Sequence, residues 1–342
     1  MGRLRARLSA SRAPSAVAEI VKLSVAIPTR NGSRYLPETF ASILSQSRLP
    51  DELVISDDAS KDDTVEIAEA FARTTPFRVK ILAHTPSGIT ANYLNALGST
   101  TGDVIVFSDQ DDVWLHNKLE SIEKTFLSSA EISIVSSDSS IVDKELRPSG
   151  KTLRGDIAKS KRLSARVNAG EDLEHFIRGL PLLAHTLAIR AQCRSIVLNK
   201  PERPIDWWFE NWVSMAALSV GKLALLPDAL TLYRQHAAQV VGAPAASRLP
   251  KVTTADYLDR ADRFMCLATM MRATTTNSLL DADEVDRRAK LIEAYVLFLA
   301  NRSRVLQLPK YQRLNAMANA SMFRDYRRFA SGVKSFARDI LC

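Results

Sequence analysis

Three carboxylates fall within four positions at Asp109-Gln110-Asp111-Asp112, directly after the apolar run Val104-Ile105-Val106-Phe107. Asp109 and Asp111 are two apart, so on an extended backbone they face the same way. Same-facing carboxylates repel unless a cation lies between them. A hard divalent ion with oxygen ligands, bridging to phosphate, suits that position. The bland alternative is a polar turn whose Asp caps a helix beginning near Trp114. A second acid pair, Asp57-Asp58, follows another apolar run, Leu53-Val54-Ile55. Further along, Ile205-Asp206-Trp207-Trp208-Phe209-Glu210 puts an acid beside two tryptophans, where desolvation raises a carboxyl's pKa. Asp206 reads equally well as the cap of a helix over residues 207–219. Tyr233-Arg234-Gln235-His236 sets a guanidinium near an imidazole, although a single histidine is also commonly structural.

The elements that would position these groups alternate. Apolar runs over 22–27, 53–55, 79–82 and 104–107 read as short buried strands. Between them, helical spacing appears over 35–46 (Leu36, Phe40, Ile43, Leu44), around 64–71, and over 91–97. Strands alternating with helices imply a parallel sheet covered on both faces and built from right-handed crossovers. Open sheets of this kind bind ligands at the carboxyl ends of their strands, where both acid pairs lie. Neither the G-x-G-x-x-G pattern nor a P-loop follows the first strand, so the acids must serve in place of those devices. Residues 131–140 read as a further strand, and 147–178 as a polar, basic, irregular surface loop over the site. A short strand is expected at 223–226. Beyond Pro244 the character turns helical, over 257–271, 284–306 and 311–341. In the last stretch Tyr326, Phe329, Val333, Phe336 and Ile340 share a face opposite Arg324, Arg327, Arg328, Lys334 and Arg338. Such a helix either packs its apolar face on the domain or lies on an anionic membrane.

A chain of 342 residues, 46% hydrophobic and 25% charged, is long enough for one large domain with or without an appendage. Cys193, Cys266 and Cys342 are odd in number and widely spaced, which points to a reducing compartment rather than a disulfide framework. The net charge of +8 favours an anionic partner: nucleotide phosphates, a membrane surface or nucleic acid. No apolar run approaches the ~20 residues that span a bilayer. Arg3, Arg5, Arg7 and Arg12, with no acid before Glu19, make a basic flexible tail of residues 1–20; a transit peptide is the alternative. No nucleic-acid-binding motif is present.

Taken in order, Leu23 to Asn31, Ser56 to Asp62 and Ser108 to Trp114 resemble the family 2 glycosyltransferases of GT-A fold, and Asp206-Trp207-Trp208 and Tyr233 to His236 resemble later motifs of the bacterial rhamnosyltransferase-like members. The resemblance covers residues 22–242. It implies a doubly wound, mostly parallel α/β sheet at 21–243, followed by a helical C-terminal region at 244–342. It also implies a nucleotide-sugar donor, dTDP- or UDP-linked, with rhamnose favoured. The acceptor would be a glycan or lipid-linked glycan in bacterial surface polysaccharide synthesis. Pro28, Thr29 and Asn31 match the loop beside the nucleotide. Asp57 and Asp58 match the acids that meet nucleobase and ribose, with Asp58 favoured for the base. Asp109 and Asp111 match the Asp-x-Asp motif that holds Mg²⁺ or Mn²⁺ against the diphosphate. Asp206 matches the general base of inverting members. Arg234 and His236 match the loop that closes over the diphosphate, with His236 as a further metal ligand. Where relatives often carry a His before the Asp-Trp-Trp, this chain has Ile205. Where they often have a Gly-small pair, it has Leu183-Ala184-His185-Thr186, which bears on the acceptor and offers His185 as a contact. Such an enzyme is expected in the cytoplasm, with peripheral contact to the inner membrane through the basic C-terminal helix. The alternatives are a nucleotidyltransferase, which would need a glycine-rich phosphate loop, and an inactive nucleotide- or glycan-binding or membrane-docking module.

Overall fold

The computed structural model describes residues 21–199, 208–237, 239, 253–317, 320–330 and 332–341. The basic tail at 1–20 and the Asp206-Trp207 pair lie outside the described residues. Nine strands form one sheet: β1 Leu23–Thr29, β2 Glu52–Asp57, β3 Arg78–Ala83, β4 Val104–Phe107, β5 Val113–Trp114, β6 Ile132–Val142, β7 Pro148–Thr152, β8 Leu187–Arg190 and β9 Lys222–Arg234. The order is β3-β2-β1-β4-β8-β6-β9-β5, with β7 added beside β6. The expected α/β architecture is present. From β3 to β4 all neighbours are parallel. Beyond β4 the sheet is mixed, with β8 antiparallel to both β4 and β6, and β6 parallel to β9.

The strand order reverses at the β1–β4 boundary. That reversal opens a crevice at the carboxyl ends of β1 and β4, the place where open α/β sheets take ligands. Residues of β1 and β2 are buried on both faces, which is why they read as unbroken apolar runs. One face, carrying Val25, Ile27, Val104 and Val106, packs under the helices Leu36–Leu44 and Lys118–Ser128. The other, carrying Ala26, Val54, Ile105 and Phe107, joins the helices Ile89–Gly98 and Phe209–Leu218. It continues into the C-terminal helices Thr254–Ala273 and Ala282–Gln307.

Three expectations are corrected. Residues 147–178 are not an irregular loop: they hold β7 and the helices Ile157–Arg166 and Asp172–Ile177. The first helix buries Ser160 and Ser164 rather than an apolar stripe, so apolar periodicity does not reveal it, whereas the second buries Leu173, Phe176 and Ile177. Ser160 Oγ donates to Pro227 O at 3.0 Å, and Asn168 Nδ2 to Leu225 O at 3.0 Å. The buried Arg154 guanidinium donates to Leu226 O, Ser136 O and Ser137 O. Residues 311–341 form not one helix but Lys310–Met317, Ala320–Phe329 and Val333–Leu341. Gly332, at φ 57°, takes the left-handed conformation that ends the middle helix, its N–H bonding Tyr326 O at 3.0 Å. Tyr326 and Phe329 are buried, so the apolar face is spent on packing while Arg324, Arg327 and Arg328 stay exposed. The helix expected near Trp114 begins at Lys118 instead, because Val113–Trp114 pairs with β9. Among the described residues no helix is long and apolar enough to cross a membrane.

A buried ion pair joins the C-terminal helices to the sheet. Arg288 NH1 lies 2.9 and 3.0 Å from the two Asp172 oxygens, and NH2 donates to Gly221 O at 3.3 Å. Asp172 also accepts Leu223 N at 3.0 Å. Removing one partner strands a buried charge. Arg288→Met is therefore expected to cost about 3–5 kcal/mol in urea unfolding, and Arg288→Met with Asp172→Asn to recover part of it.

Candidate functional site

The crevice is a cavity of about 880 Å³, within the range of small-molecule sites. The end of β1, at Pro28 and Thr29, and the loop after it, at Arg30 and Asn31, form one wall. Asn31 has φ 48°, in the left-handed region that asparagine tolerates. Its Oδ1 accepts Lys61 N and its N–H donates to Ser60 Oγ, both at 2.8 Å, tying this loop to the turn after β2.

The two acids of that turn separate. Asp57 is consumed by the turn: it accepts Thr29 Oγ1 at 2.9 Å, Ser60 N at 2.8 Å and Ser60 Oγ at 2.6 Å. It is not on the cavity wall, whereas Asp58 is. Asp58 accepts Ser87 N at 2.6 Å, Gly88 N at 3.2 Å and Arg30 NH1 at 3.1 Å. Burial opposes its ionisation, yet the amides and the guanidinium outweigh that and hold Asp58 below the usual carboxylate range.

The acids after β4 are more crowded. Asp109 takes a hydrogen bond from the Tyr93 hydroxyl and lies 3.3 Å from His185 Nδ1. Burial would raise it, but the nearby His185 imidazole and the Tyr93 hydroxyl bond prevail and lower it. Asp111 moves the other way, raised by burial and by the Asp109 charge. His236 Nε2 sits 2.8 Å from Asp111 Oδ2, its ring 4.7 Å from that of Tyr35. Asp112 is fully buried and its carboxyl is pushed well up, first by burial and then by Asp111 and Asp109. Lys118, buried below, donates to His185 O at 2.6 Å and Thr231 Oγ1 at 2.9 Å. Burial pulls its amine down to about 7.

Of the residues singled out in the sequence, Pro28, Thr29, Asn31, Asp58, Asp109, Asp111, His185 and His236 line one cavity. Arg234 does not. It is buried, donating through Nε to Asp111 O at 2.8 Å, through NH1 to Lys144 O at 2.7 Å, and to Glu38. Its amide donates to Asp112 Oδ1 at 3.0 Å, and its guanidinium covers the Tyr35 ring at 4.5 Å. The guanidinium thus braces the acid loop from behind. Cations that do face the cavity are Arg30, Arg34 and Lys144, none of them singled out in the sequence. Glu210 was also missed; it lines the cavity on the first turn of the Phe209–Leu218 helix. Its place in the same acid-and-aromatic cluster as Asp206 was the available signal.

Burial, reinforced by Asp109, pushes Glu210 from 4.5 up to about 7. The folded chain then keeps a proton between those values that the unfolded chain releases, so stability falls as pH rises through that window. Glu210→Gln is expected to be more stable than wild type at pH 8 by about 1–2 kcal/mol, allowing for partial solvent screening, and equal to it near pH 4.5. Denaturant titrations at the two pH values check this.

Residues 24–179 match the model for glycosyl transferase family 2. The uncharacterized glycosyltransferase alr2836 of Nostoc sp. is 28% identical over 227 residues, 64% of this chain and 66% of that protein. The dTDP-rhamnosyl transferase RfbG of Shigella flexneri is 33% identical over 97 residues, 27% of this chain and 34% of that protein. The putative glycosyltransferase EpsE of Bacillus subtilis is 38% identical over 100 residues, 29% of this chain and 36% of that protein. The chain thus spans less than two thirds of the length of these relatives. Among solved structures, S. aureus TarS 1–349 in complex with UDP superposes with a TM-score of 0.52 at 15% identity, covering 90% of this chain and 89% of that one. That likeness is one of fold, and the architecture is the GT-A type.

Proposed function

We propose, from the match of residues 24–179 to the model for glycosyl transferase family 2, that the chain is an inverting, metal-dependent glycosyltransferase. It moves a sugar from a dTDP- or UDP-sugar to a glycan or lipid-linked acceptor of a bacterial surface polysaccharide. The observation that carries this reading is the convergence of Asp58, Asp109, Asp111 and His236 with Arg30, Arg34 and Lys144 on one cavity at the sheet's switch point. Rhamnose as the sugar rests on the resemblance and on the printed name of the Shigella relative.

Asp58, held ionised by backbone amides, is suited to accept a nucleobase N–H from a fixed position. Pro28, Thr29 and Asn31 shape the wall beside the nucleotide. Arg30, Arg34 and Lys144 offer the positive field a diphosphate needs. The crowded acids fit a hard divalent ion, because Asp111 is raised by its neighbour's charge and a cation would relieve that repulsion. Asp109, Asp111 and His236 would hold Mg²⁺ or Mn²⁺, which when bound offsets charge developing on the leaving diphosphate. Arg234 positions Asp111 through its carbonyl. Asp206, outside the described residues, takes the acceptor hydroxyl's proton as that oxygen attacks the anomeric carbon. One displacement inverts the centre and leaves no sugar on the protein. The exposed Arg324, Arg327 and Arg328 are placed for peripheral contact with an anionic inner-membrane face, where a lipid-linked acceptor would reside.

Transfer from dTDP- and UDP-sugars is read by NMR at the new anomeric centre. Inversion is expected, with kcat lowered about 10²-fold or more in Asp206→Asn and Asp111→Asn. Retention of configuration, or full activity in either variant, would contradict the mechanism.

A further inference from the structure

At the floor of the cavity, three side chains converge on a second point, which shares Asp109 with the donor site. His185 sits in the turn Ala184–Thr186 ahead of β8, and its side chain is 1% exposed. Its Nδ1 lies 3.3 Å from Asp109 Oδ2 and 3.4 Å from Asp112 Oδ2. Ligand atoms of Asp109, Asp112 and His185 all lie within 4.8 Å of one another.

Two of these atoms, His185 Nδ1 and Asp112 Oδ2, are buried and make no hydrogen bond. The groups around them are otherwise engaged. His185 Nε2 is 3.2 Å from Ser139 Oγ, and the imidazole stacks on Tyr233 at 4.5 Å. Asp112 Oδ1 accepts Arg234 N at 3.0 Å, and Asp109 Oδ1 accepts the Tyr93 hydroxyl. Lys118 is the neighbouring cation, bonded to His185 O and Thr231 Oγ1. A buried donor or acceptor left unmade is costly, so the pair calls for a reason.

The spacing supplies one. Charge-assisted hydrogen bonds run at about 2.7–2.9 Å, shorter than both contacts. Ligand atoms bound at about 2.0–2.1 Å around a tetrahedral metal lie roughly 3.3 Å apart. The outer pair, His236 and Asp111, is closed on itself at 2.8 Å and shares none of the three atoms.

We propose that Asp109 Oδ2, Asp112 Oδ2 and His185 Nδ1 form an inner divalent-cation site, separate from the Asp111–His236 pair. One imidazole and two carboxylates suit Zn²⁺ or Mn²⁺ better than Mg²⁺. The Ser139 contact to Nε2 fixes the ring, as the outer partners of metal-binding histidines do. The bound ion locks the Asp109–Asp112 loop in the shape the cavity needs. This site does not depend on sugar transfer, since it needs no nucleotide.

The test uses the full chain, stripped with chelator and free of nucleotide. Zn²⁺ is titrated by calorimetry, and Co²⁺ by its visible absorption. One equivalent is expected to bind. His185→Gln and Asp112→Asn are each expected to weaken binding at least about tenfold, and His236→Gln to leave it within twofold. Circular dichroism melts without metal confirm that each variant folds; if one of the first two does not, the other decides. No binding by the wild-type chain would overturn the proposal and leave His185 as a bracing side chain. Unchanged affinity in the folded His185 and Asp112 variants would overturn it too. Loss confined to His236→Gln would move the ion to the outer pair.

Discussion

The mutual repulsion of Asp109, Asp111 and Asp112 sets the terms for everything built around the cavity. At about 4 Å, two like charges near a protein surface cost each other on the order of 4 kcal/mol at an effective dielectric of 20. Three such groups after one buried strand are not tolerated without compensation. The chain compensates from every side: His185 against Asp109 and Asp112, His236 against Asp111, and the Arg234 amide against Asp112. The groups also respond in their own protonation, with Asp109 lowered and Asp111 and Asp112 raised. A cavity with acids at its floor and cations on its rim is matched to a cation and an anion bound together.

The fold delivers these groups by ordinary means. Parallel strands β1 and β4 end side by side at the switch point, so the loops that follow them must face one crevice. β9 runs its thirteen residues along β6 and past β5, carrying Arg234 and His236 to the far side of the acid loop. The C-terminal helices share one apolar core with the sheet and are pinned to it by Arg288 and Asp172. They therefore bear on the stability of the site-bearing sheet without lining the cavity.

Much of this was legible in the residues. β1, β2 and β4 read as apolar runs because both faces of a parallel strand are buried, and acids after such strands mark the ligand edge. The rest was hidden for physical reasons. Asp57 and Asp58 are adjacent, so their side chains leave the backbone on different sides; which one faces the cavity depends on Thr29 and Ser60, which are distant in sequence from one another. The helix Ile157–Arg166 buries serines rather than leucines, so no apolar stripe announced it. Arg234 resembles an anion-binding residue by type, yet its donors point to Asp111 O, Lys144 O and Glu38, partners that only the tertiary fold assembles. His185 gave no local sign of its role, because both of its acidic neighbours lie more than 70 positions earlier in the chain.

The central claim is that the cavity is a metal-assisted nucleoside-diphosphate site. Isothermal calorimetry of the chain with dTDP and UDP, each with and without Mn²⁺, tests it most directly. The account predicts saturable binding of at least one of the two when Mn²⁺ is present, and at least about tenfold weaker binding without it. Equal affinity in both conditions, or no binding of either nucleotide to folded protein in the presence of Mn²⁺, would contradict it.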